Sequence, residues 1–527
     1  MELSLRGFKD LLPADMLARD KIVSVIKEVF ESYGFVPIAT PALEHKKVLL
    51  AYSDVTAEFT VKEYNSFLTE FPHAKKIIQP FVREENDICF IPVSGLSLKQ
   101  QQELGDSCFE KIVDHTMADK QIYIFREPDG KMVGLKFDLT VPLSRFVAEH
   151  KDIPRPFKRY QFQPVWRYDK PDTGRFREFT QFDIDTVGTD SMIADTEIIT
   201  AMHDCLKKLG LNFKIRFSNR KVLNSLIKFA QIDLKKAHSV FRVIDKLEKQ
   251  GIDNVKLELG AGRIDSSGDK IPGLGLDEDQ ISKIEDFLNL TQPTRSETIM
   301  TLKSLFKNVE DAEEGINELN EIHYYLDALE ISEEKVIIDL SIARGLDYYT
   351  GPVFEAILTD EEVKDFGSVM GGGRFDRLIE HFIGESIPAT GASIGVDRLL
   401  SAMQKLNLIT TKPSTADVLV TILDRERIVE YQKIAKLLRE AGIKTELYMG
   451  NEKSIGKQLK YADSQKIPIS VIAGSQEFSN NQISIKDLRV IKTEKIEIKG
   501  REEWVEKKIG QITIDREKLI NEIKKML

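Results

Sequence analysis

The sequence predicts a multi-domain α/β protein, and three observations carry that prediction. Tyr160 to Gly188 reads as a long antiparallel hairpin, the stretch from about Arg220 to Lys335 is helix-rich, and from Val418 onward strand-like and helix-like segments alternate in a βαβ pattern. At 527 residues the chain is too long for one hydrophobic core and has room for roughly two to four domains. A formal charge of −10 excludes a broadly basic coat but not a local basic patch. No run of about 18 apolar residues occurs, and MELSLRGFKD lacks the apolar core of a signal peptide, so a cytoplasmic protein with no membrane partner is expected. Cys89, Cys108 and Cys205 have no CxxC spacing and the eight histidines form no HxxxH or HExxH pair. No metal site built from Cys or His is therefore expected, and the thiols should be reduced and mostly buried.

Taken in order, Ile22, Ile26, Val29 and Phe30 recur at helical spacing up to Gly34, and Val36 to Ala39 before Pro41 reads as an edge strand. A long helix followed by such a strand is a candidate dimer contact. From about Ser53 to Lys120 the text is mixed and includes the polar run LKQQQEL, which suggests an insertion with its own small fold. Tyr123 to Phe125 and Val133 to Phe137 form a hairpin across Asp129-Gly130. Asp138 and Thr140 follow, two residues apart on an expected strand, where carboxylate and hydroxyl suit an ammonium.

In the long hairpin, alternation runs up to Trp166, breaks over Pro171 to Gly174, and resumes from Arg175. Arg167, Arg175 and Arg177 crowd the turn. Gln181, Asp183 and Asp185 leave one face of the returning strand together, and Phe179, Ile184 and Val187 suggest that the opposite face is packed. Cations beside a row of acceptors suit a zwitterion or a phosphate, although a charged hairpin taken alone is more often simply solvated. Further on, Arg344 to Gly351 (RGLDYYTG) places a cation, an acid and two phenols between strand-like runs. Gly371-Gly372-Gly373 would let a ligand approach the main chain, although a lone triple glycine more often marks a bulge or turn, and GASIGVDRLL sets Arg398 in the first turn of a helix. No GxGxxG follows a strand, and GNEKSIGKQ misses the P-loop pattern, so any nucleotide is held without those devices.

Four of these segments together resemble one family. VWRYDKPDTGRFREF and GASIGVDRLL are similar to the second and third signature motifs of class II aminoacyl-tRNA synthetases, and the N-terminal helix, strand and Pro41 resemble the first, the dimer motif. RGLDYYTG and SVMGGGRFDRL resemble the two motifs peculiar to histidyl-tRNA synthetases, and NEKSIGKQLKYADSQKIP looks like part of that family's anticodon-binding domain. The resemblance implies a class II antiparallel sheet with helices as an α+β catalytic core (1–52 and 121–219, then 336–405). It further implies a helical insertion domain at 220–335, a linker at 406–415 and a C-terminal α/β anticodon-binding domain at 416–527. The insertion at 53–120 departs from the shorter loop of typical members. Asp138, Asp169 and Asp185 stand where many bacterial members carry Glu, a feature shared with eukaryote-type members.

The activity implied is histidine–tRNA ligase, with ATP as substrate accompanied by Mg²⁺, and L-histidine and tRNA(His) as partners of a homodimer. Arg167 and Arg344 would flank the α-phosphate, and Arg398 would lie over the adenine or reach the γ-phosphate, with Asp169, Arg175 and Arg177 completing the ATP site. Asp138, Thr140 and Gln181 would hold the amino group of histidine, Asp185 and Tyr349 would read its imidazole, and Tyr348, Gly371, Gly372 and Gly373 would line the pocket. Lys170 and Asp172 would approach the acceptor end of tRNA, and Lys453, Lys457 and Lys460 the anticodon region. A regulatory paralogue would be expected to lack RGLDYY and the C-terminal domain, a threonyl or prolyl enzyme would not carry RGLDYY, and a degenerate sensor would have lost the arginines. The active ligase is the reading that remains.

Overall fold

A computed structural model describes residues 5–527 except 51–55, 86–87, 93–95, 97, 115–121, 170–173, 266–267, 310, 344–347, 410–411 and 491–509. The chain divides into two compact units, Ile22–Leu408 with Met1–Lys9, and Ile409–Leu527 with Asp10–Lys21.

The larger unit is built on an eight-stranded sheet in the order Val36–Pro37, Phe157–Trp166, Glu178–Val187, Ala389–Gly395, Ser368–Arg374, Pro352–Leu358, Phe213–Asn219, Val336–Ile338. The two outermost pairings are parallel and all the inner ones antiparallel. The edge strand is shorter than the expected Val36 to Ala39, although the Ile38 N–H still donates to the Tyr160 carbonyl at 3.0 Å; Pro37 is tolerated here because its missing N–H lies on the unpaired side of an edge strand. One face of the sheet is apolar: Phe182 and Ile184 are buried, and Phe30 of the Pro13–Ser32 helix meets the Phe182 ring edge-on at 5.1 Å.

Two sequence-based expectations require correction here. Asp138 and Thr140 do not share a strand: Thr140 opens the helix Thr140–Glu149. The Asp138 Oδ1 accepts from the Val141 N–H at 3.1 Å, and Pro142 occupies the first turn, where its missing N–H costs nothing. Phe179 and Val187 were expected opposite the Gln181–Asp183–Asp185 row, but all five are odd-numbered and side chains on a strand alternate, so only Ile184 lies on the packed face.

Between the edge strand and the hairpin, residues 56–114 carry a three-stranded antiparallel sheet and four helices. Phe59, Phe67, Ile78, Cys89, Cys108 and Ile112 pack together there. Thr60 and Glu63 close a capping box on the first of these helices. All three cysteines are free and buried. Among the described residues of 220–328, helices predominate, joined by short connections and interrupted by the small hairpin Gly262–Ile264 with Lys270–Pro272.

The smaller unit is a five-stranded sheet in the order Thr445–Leu447, Val418–Val420, Ile469–Ile472, Gln482–Asp487, Gln511–Asp515. Its first three strands are parallel and the last two antiparallel. From sequence alone the charged chain end Lys499 to Leu527 reads as helical; its residues 499–509 lie outside the described residues. Gln511–Asp515 is instead a strand, as the alternation of Ile512 and Ile514 with polar residues favours, and only Leu519–Met526 forms the terminal helix.

Candidate active site

The site grows out of strand register. In the central hairpin Arg159 lies opposite Asp185, Gln161 opposite Asp183 and Gln163 opposite Gln181. On the other side of the returning strand, Gly391, Ser393 and Gly395 face the same three residues, and Gly371 and Gly373 pair with Ser393 and Gly391 in the next strand. Alternation therefore gathers six charged or amide side chains, one serine and the glycines on one face. The opposite face is packed, so the polar row has no other place to go.

Two adjoining cavities open on that face. The smaller, about 160 Å³, is lined by Asp138, Thr140, Arg167, Gln181, Asp183, Asp185, Tyr348, Tyr349, Gly371, Phe375 and Ser393. The larger, about 330 Å³, is lined by Arg167, Asp169, Arg175, Phe176, Phe179, Gln181, Gly371, Ser393 and Arg398. Arg167, Gln181, Gly371 and Ser393 belong to both, so the cavities are two compartments of one site. Arg167 is aimed by its Nε–H, which donates to the Phe137 carbonyl at 2.9 Å, and its guanidinium lies 5.2 Å from the Phe179 ring. Arg398 donates to the Ser368 carbonyl at 2.5 Å. Its neighbour Asp397 accepts from the Thr180 N–H at 2.6 Å, which pins the helix Val396–Lys405 onto the hairpin.

The small cavity is strongly polar and short of partners. Asp138 Oδ2, Gln181 Oε1 and Asp183 Oδ1 are buried without hydrogen-bond partners among the described residues. Burial pushes the Asp138 carboxyl up to about 6, a rise moderated by the Val141 N–H and the Arg167 and Arg159 charges. Burial also raises Asp183 and Asp185, opposed in both by Arg159. It raises the phenols of Tyr348 and Tyr349 as well, leaving them hydrogen-bonding groups at neutral pH. Unpaired buried acceptors beside phenolic donors form a receptor for a small molecule that carries a cation and at least one further polar group.

Most of the sequence-predicted residues meet here. Arg177 does not line either cavity: its guanidinium stacks 3.9 Å over the Tyr168 ring and its Nε–H reaches the Asp169 carbonyl. Gly372 faces the opposite side of the sheet, where an added Cβ would fall 2.0 Å from the Gly391 carbonyl oxygen. Gly373 makes room for the Tyr349 ring, 2.9 Å from where its Cβ would stand. Arg344, Lys170 and Asp172 lie outside the described residues. Lys453, Lys457 and Lys460 are exposed on the smaller unit, with Lys457 paired to Glu452 at 2.8 Å. Sequence reasoning missed Arg159 and Ser393 altogether; strand parity placed Asp183 beside Gln181 and Asp185 on the polar face, but no ligand group was assigned to it. Among the described residues one group has metal-ligand spacing, His323, Asp327 and Glu333. Arg295 already occupies it: its guanidinium donates to Asp327 at 2.5 Å and to His323 Nδ1 at 3.3 Å, and its backbone N–H donates to Glu333 at 2.8 Å.

An antiparallel sheet that presents arginines beside a polar pocket, in a chain that also carries a βαβ unit, fits a class II aminoacyl-tRNA synthetase, and comparison with known proteins establishes that class. Residues 103–399 match the family model described as histidyl-tRNA synthetase and residues 417–526 the anticodon-binding domain. The histidine–tRNA ligase of Ruegeria sp. (strain TM1040) is 37% identical over 99% of this chain and 95% of its own length. That of Dinoroseobacter shibae is also 37% identical, over 95% of this chain and 92% of its own. The crystal structure of histidyl-tRNA synthetase from Nostoc sp. PCC 7120 superposes with a TM-score of 0.71 at 29% identity, covering 100% of both chains. The chain belongs to the histidyl-tRNA synthetase family.

Proposed function

We infer that this chain is a histidine–tRNA ligase that activates L-histidine with ATP and transfers it to the 3′ end of tRNA(His), and that the two cavities divide the first reaction between them. The observation that carries the division is the small cavity, where unpartnered buried acceptors converge beside Tyr348 and Tyr349 while Arg167 stands at the junction with the larger cleft. In this reading Asp138, Thr140 and Gln181 receive the ammonium of histidine, and Asp185 and Tyr349 the imidazole. An apolar isostere would leave those partners buried and unpaired, which costs more than shape alone can discriminate.

ATP, entering as its Mg²⁺ complex, lies in the larger cleft with Arg398 and Asp169. Arg175, which is exposed at the rim, completes the phosphate environment, whereas Arg177, held on the Tyr168 ring, contributes only its charge from behind the cleft. Arg167 and Arg344 flank the α-phosphate. A histidine carboxylate oxygen attacks that phosphorus in line, the bond to the bridging oxygen breaks, and pyrophosphate leaves; fixed guanidinium charges offset the negative charge that develops. A ribose hydroxyl of the tRNA terminus then attacks the histidyl carbonyl, and AMP departs. Most of the acceleration comes from alignment of bound groups. Lys170 and Asp172 meet the acceptor end, and the unit containing Lys453, Lys457 and Lys460 meets the anticodon arm.

The test is ATP–pyrophosphate exchange without tRNA, run with each of the twenty amino acids. Exchange with histidine alone is expected, whereas exchange with a different amino acid, or with none, would overturn the assignment. The enzyme is further proposed to work in the cytoplasm as a homodimer joined through the N-terminal helix and edge strand, and a monomeric mass on gel filtration at working concentration would count against that assembly.

A further inference from the structure

Arg159 is fully buried, with 0% of its surface exposed; it does not line the small cavity itself but pairs with Asp185, which does. Its Nη2 lies 2.7 Å from Asp185 Oδ2, and it donates to Gln161 Oε1 at 3.2 Å and to the Leu139 carbonyl at 3.4 Å. Gln161 is itself fixed, donating to Thr40 Oγ1 at 2.8 Å and to Gln163 Oε1 at 2.5 Å. Gln163 Oε1 also accepts from Lys136 Nζ at 2.6 Å. On its other side the Asp185 carboxylate presses against Gly391, whose Cβ, were there one, would stand 2.0 Å from Oδ1. Asp185 is thus clamped between a guanidinium held by a buried amide relay and a strand that must be glycine.

The charges around this clamp come from several elements. Asp183 and Asp185 sit on the returning hairpin strand, Asp138 at the start of the Thr140–Glu149 helix, Lys136 just before it, and Arg167 beyond the first hairpin strand, with Tyr348 and Tyr349 as neutral phenols. Three carboxylates in one small cavity would attract more than one cation. Arg159 cannot give up its proton and cancels one of the three charges permanently. The end of the pocket at Asp185 is then an acceptor already paired with a cation, and it has little to gain from a second.

We propose that Arg159 is a specificity-determining positioning residue: by pairing with Asp185 it makes that carboxylate accept a neutral N–H, so that histidine is bound with an uncharged imidazole and cationic side chains are refused. This rests on the histidine reading of the pocket and adds the charge state of the ligand to it. Asp185 touches the ring, and Arg159 acts through Asp185.

The experiment observes histidine labelled with ¹³C at Cε1 in complex with the full-length protein and follows the ring signal with pH. In the wild type the bound ring is expected to stay neutral below the ordinary imidazole pKa of about 6.5, a downward shift of at least about one pH unit. In Arg159→Met the bound ring should titrate above the free value, because Asp183 and Asp185 then favour the imidazolium. Its KM for histidine should rise by at least about tenfold while the KM for ATP stays near the wild-type value. Arg159→Lys should restore the neutral ring. A wild-type complex holding imidazolium would overturn the proposal without any variant, which keeps it testable even if Arg159→Met fails to fold. So would a ring titration that is the same in wild type and Arg159→Met, since that confines Arg159 to packing. Failure of labelled histidine to bind the wild type at all would instead strike the histidine reading itself.

Discussion

Asp138 shows what the pocket costs at the scale of one residue. Its carboxyl is raised from 3.8 to about 6 by burial. A folded-state pKa above the unfolded value means that the folded state binds the proton more tightly. The ionisation penalty is therefore absent below about pH 4, grows as pH rises through 6, and is complete above it, on the order of 3 kcal/mol at pH 7.5. Asn keeps the acceptor for the Val141 N–H and removes the charge. Asp138→Asn is expected to raise the melting temperature of the unliganded protein by a few degrees at pH 7.5, with the gain vanishing towards pH 4. It should also weaken histidine binding by about tenfold or more, since the ammonium loses its counter-ion. Melting curves at the two pH values check the first claim; a change of equal size at both would assign the effect to packing rather than ionisation.

At the scale of elements, two glycines on neighbouring strands separate construction of the site from its use. An alanine methyl at position 391 would stand 2.0 Å from Asp185 Oδ1 and 2.6 Å from the Ile184 carbonyl, whereas at position 371 the nearest atoms are 3.8 Å away and the space beyond is the cavity. Gly391→Ala should lower the melting temperature, with a cost of about 1–3 kcal/mol, as well as histidine affinity. Gly371→Ala should leave melting unchanged yet reduce histidine-dependent exchange by about tenfold or more by filling the ligand's space. Equal destabilisation by both would show that Gly371 is a packing glycine. The hairpin and the C-terminal βαβ unit were legible in the sequence because period-two runs and turn residues are local signals. The partner of Asp185 was not: Arg159 is far from it along the chain and meets it only through cross-strand register. Asp138 and Thr140 were misplaced for a related reason, since an acid before a Thr-Val-Pro turn fits a helix start as well as a strand, and only the Val141 N–H decides between them.

At the scale of the whole chain, the larger unit carries the two adjoining cavities and the smaller one the exposed Lys453, Lys457 and Lys460. The resemblance of short motifs picked out most of the residues that line the two cavities. It said little about residues 56–114, whose own sheet and apolar cluster are built from ordinary core residues that announce no partner. Lys453, Lys457 and Lys460 test the division of labour. All three are exposed, and the helix Ile455–Ser464 that carries two of them is anchored from beneath by Gln458, which donates to the Ile422 carbonyl at 2.7 Å and accepts from the Ile422 N–H at 2.8 Å. Replacing the three lysines by alanine should therefore leave the helix in place and remove only charge. If they meet the phosphate backbone of tRNA, the KM for tRNA should rise by about tenfold or more and its dependence on salt should flatten, because fewer counterions are released on binding. Pyrophosphate exchange, which needs only histidine and ATP, should keep its wild-type rate. An unchanged salt dependence would return these lysines to the status of a solvated helix face, and a parallel loss of exchange would mean that the two units do not act separately in the activation step.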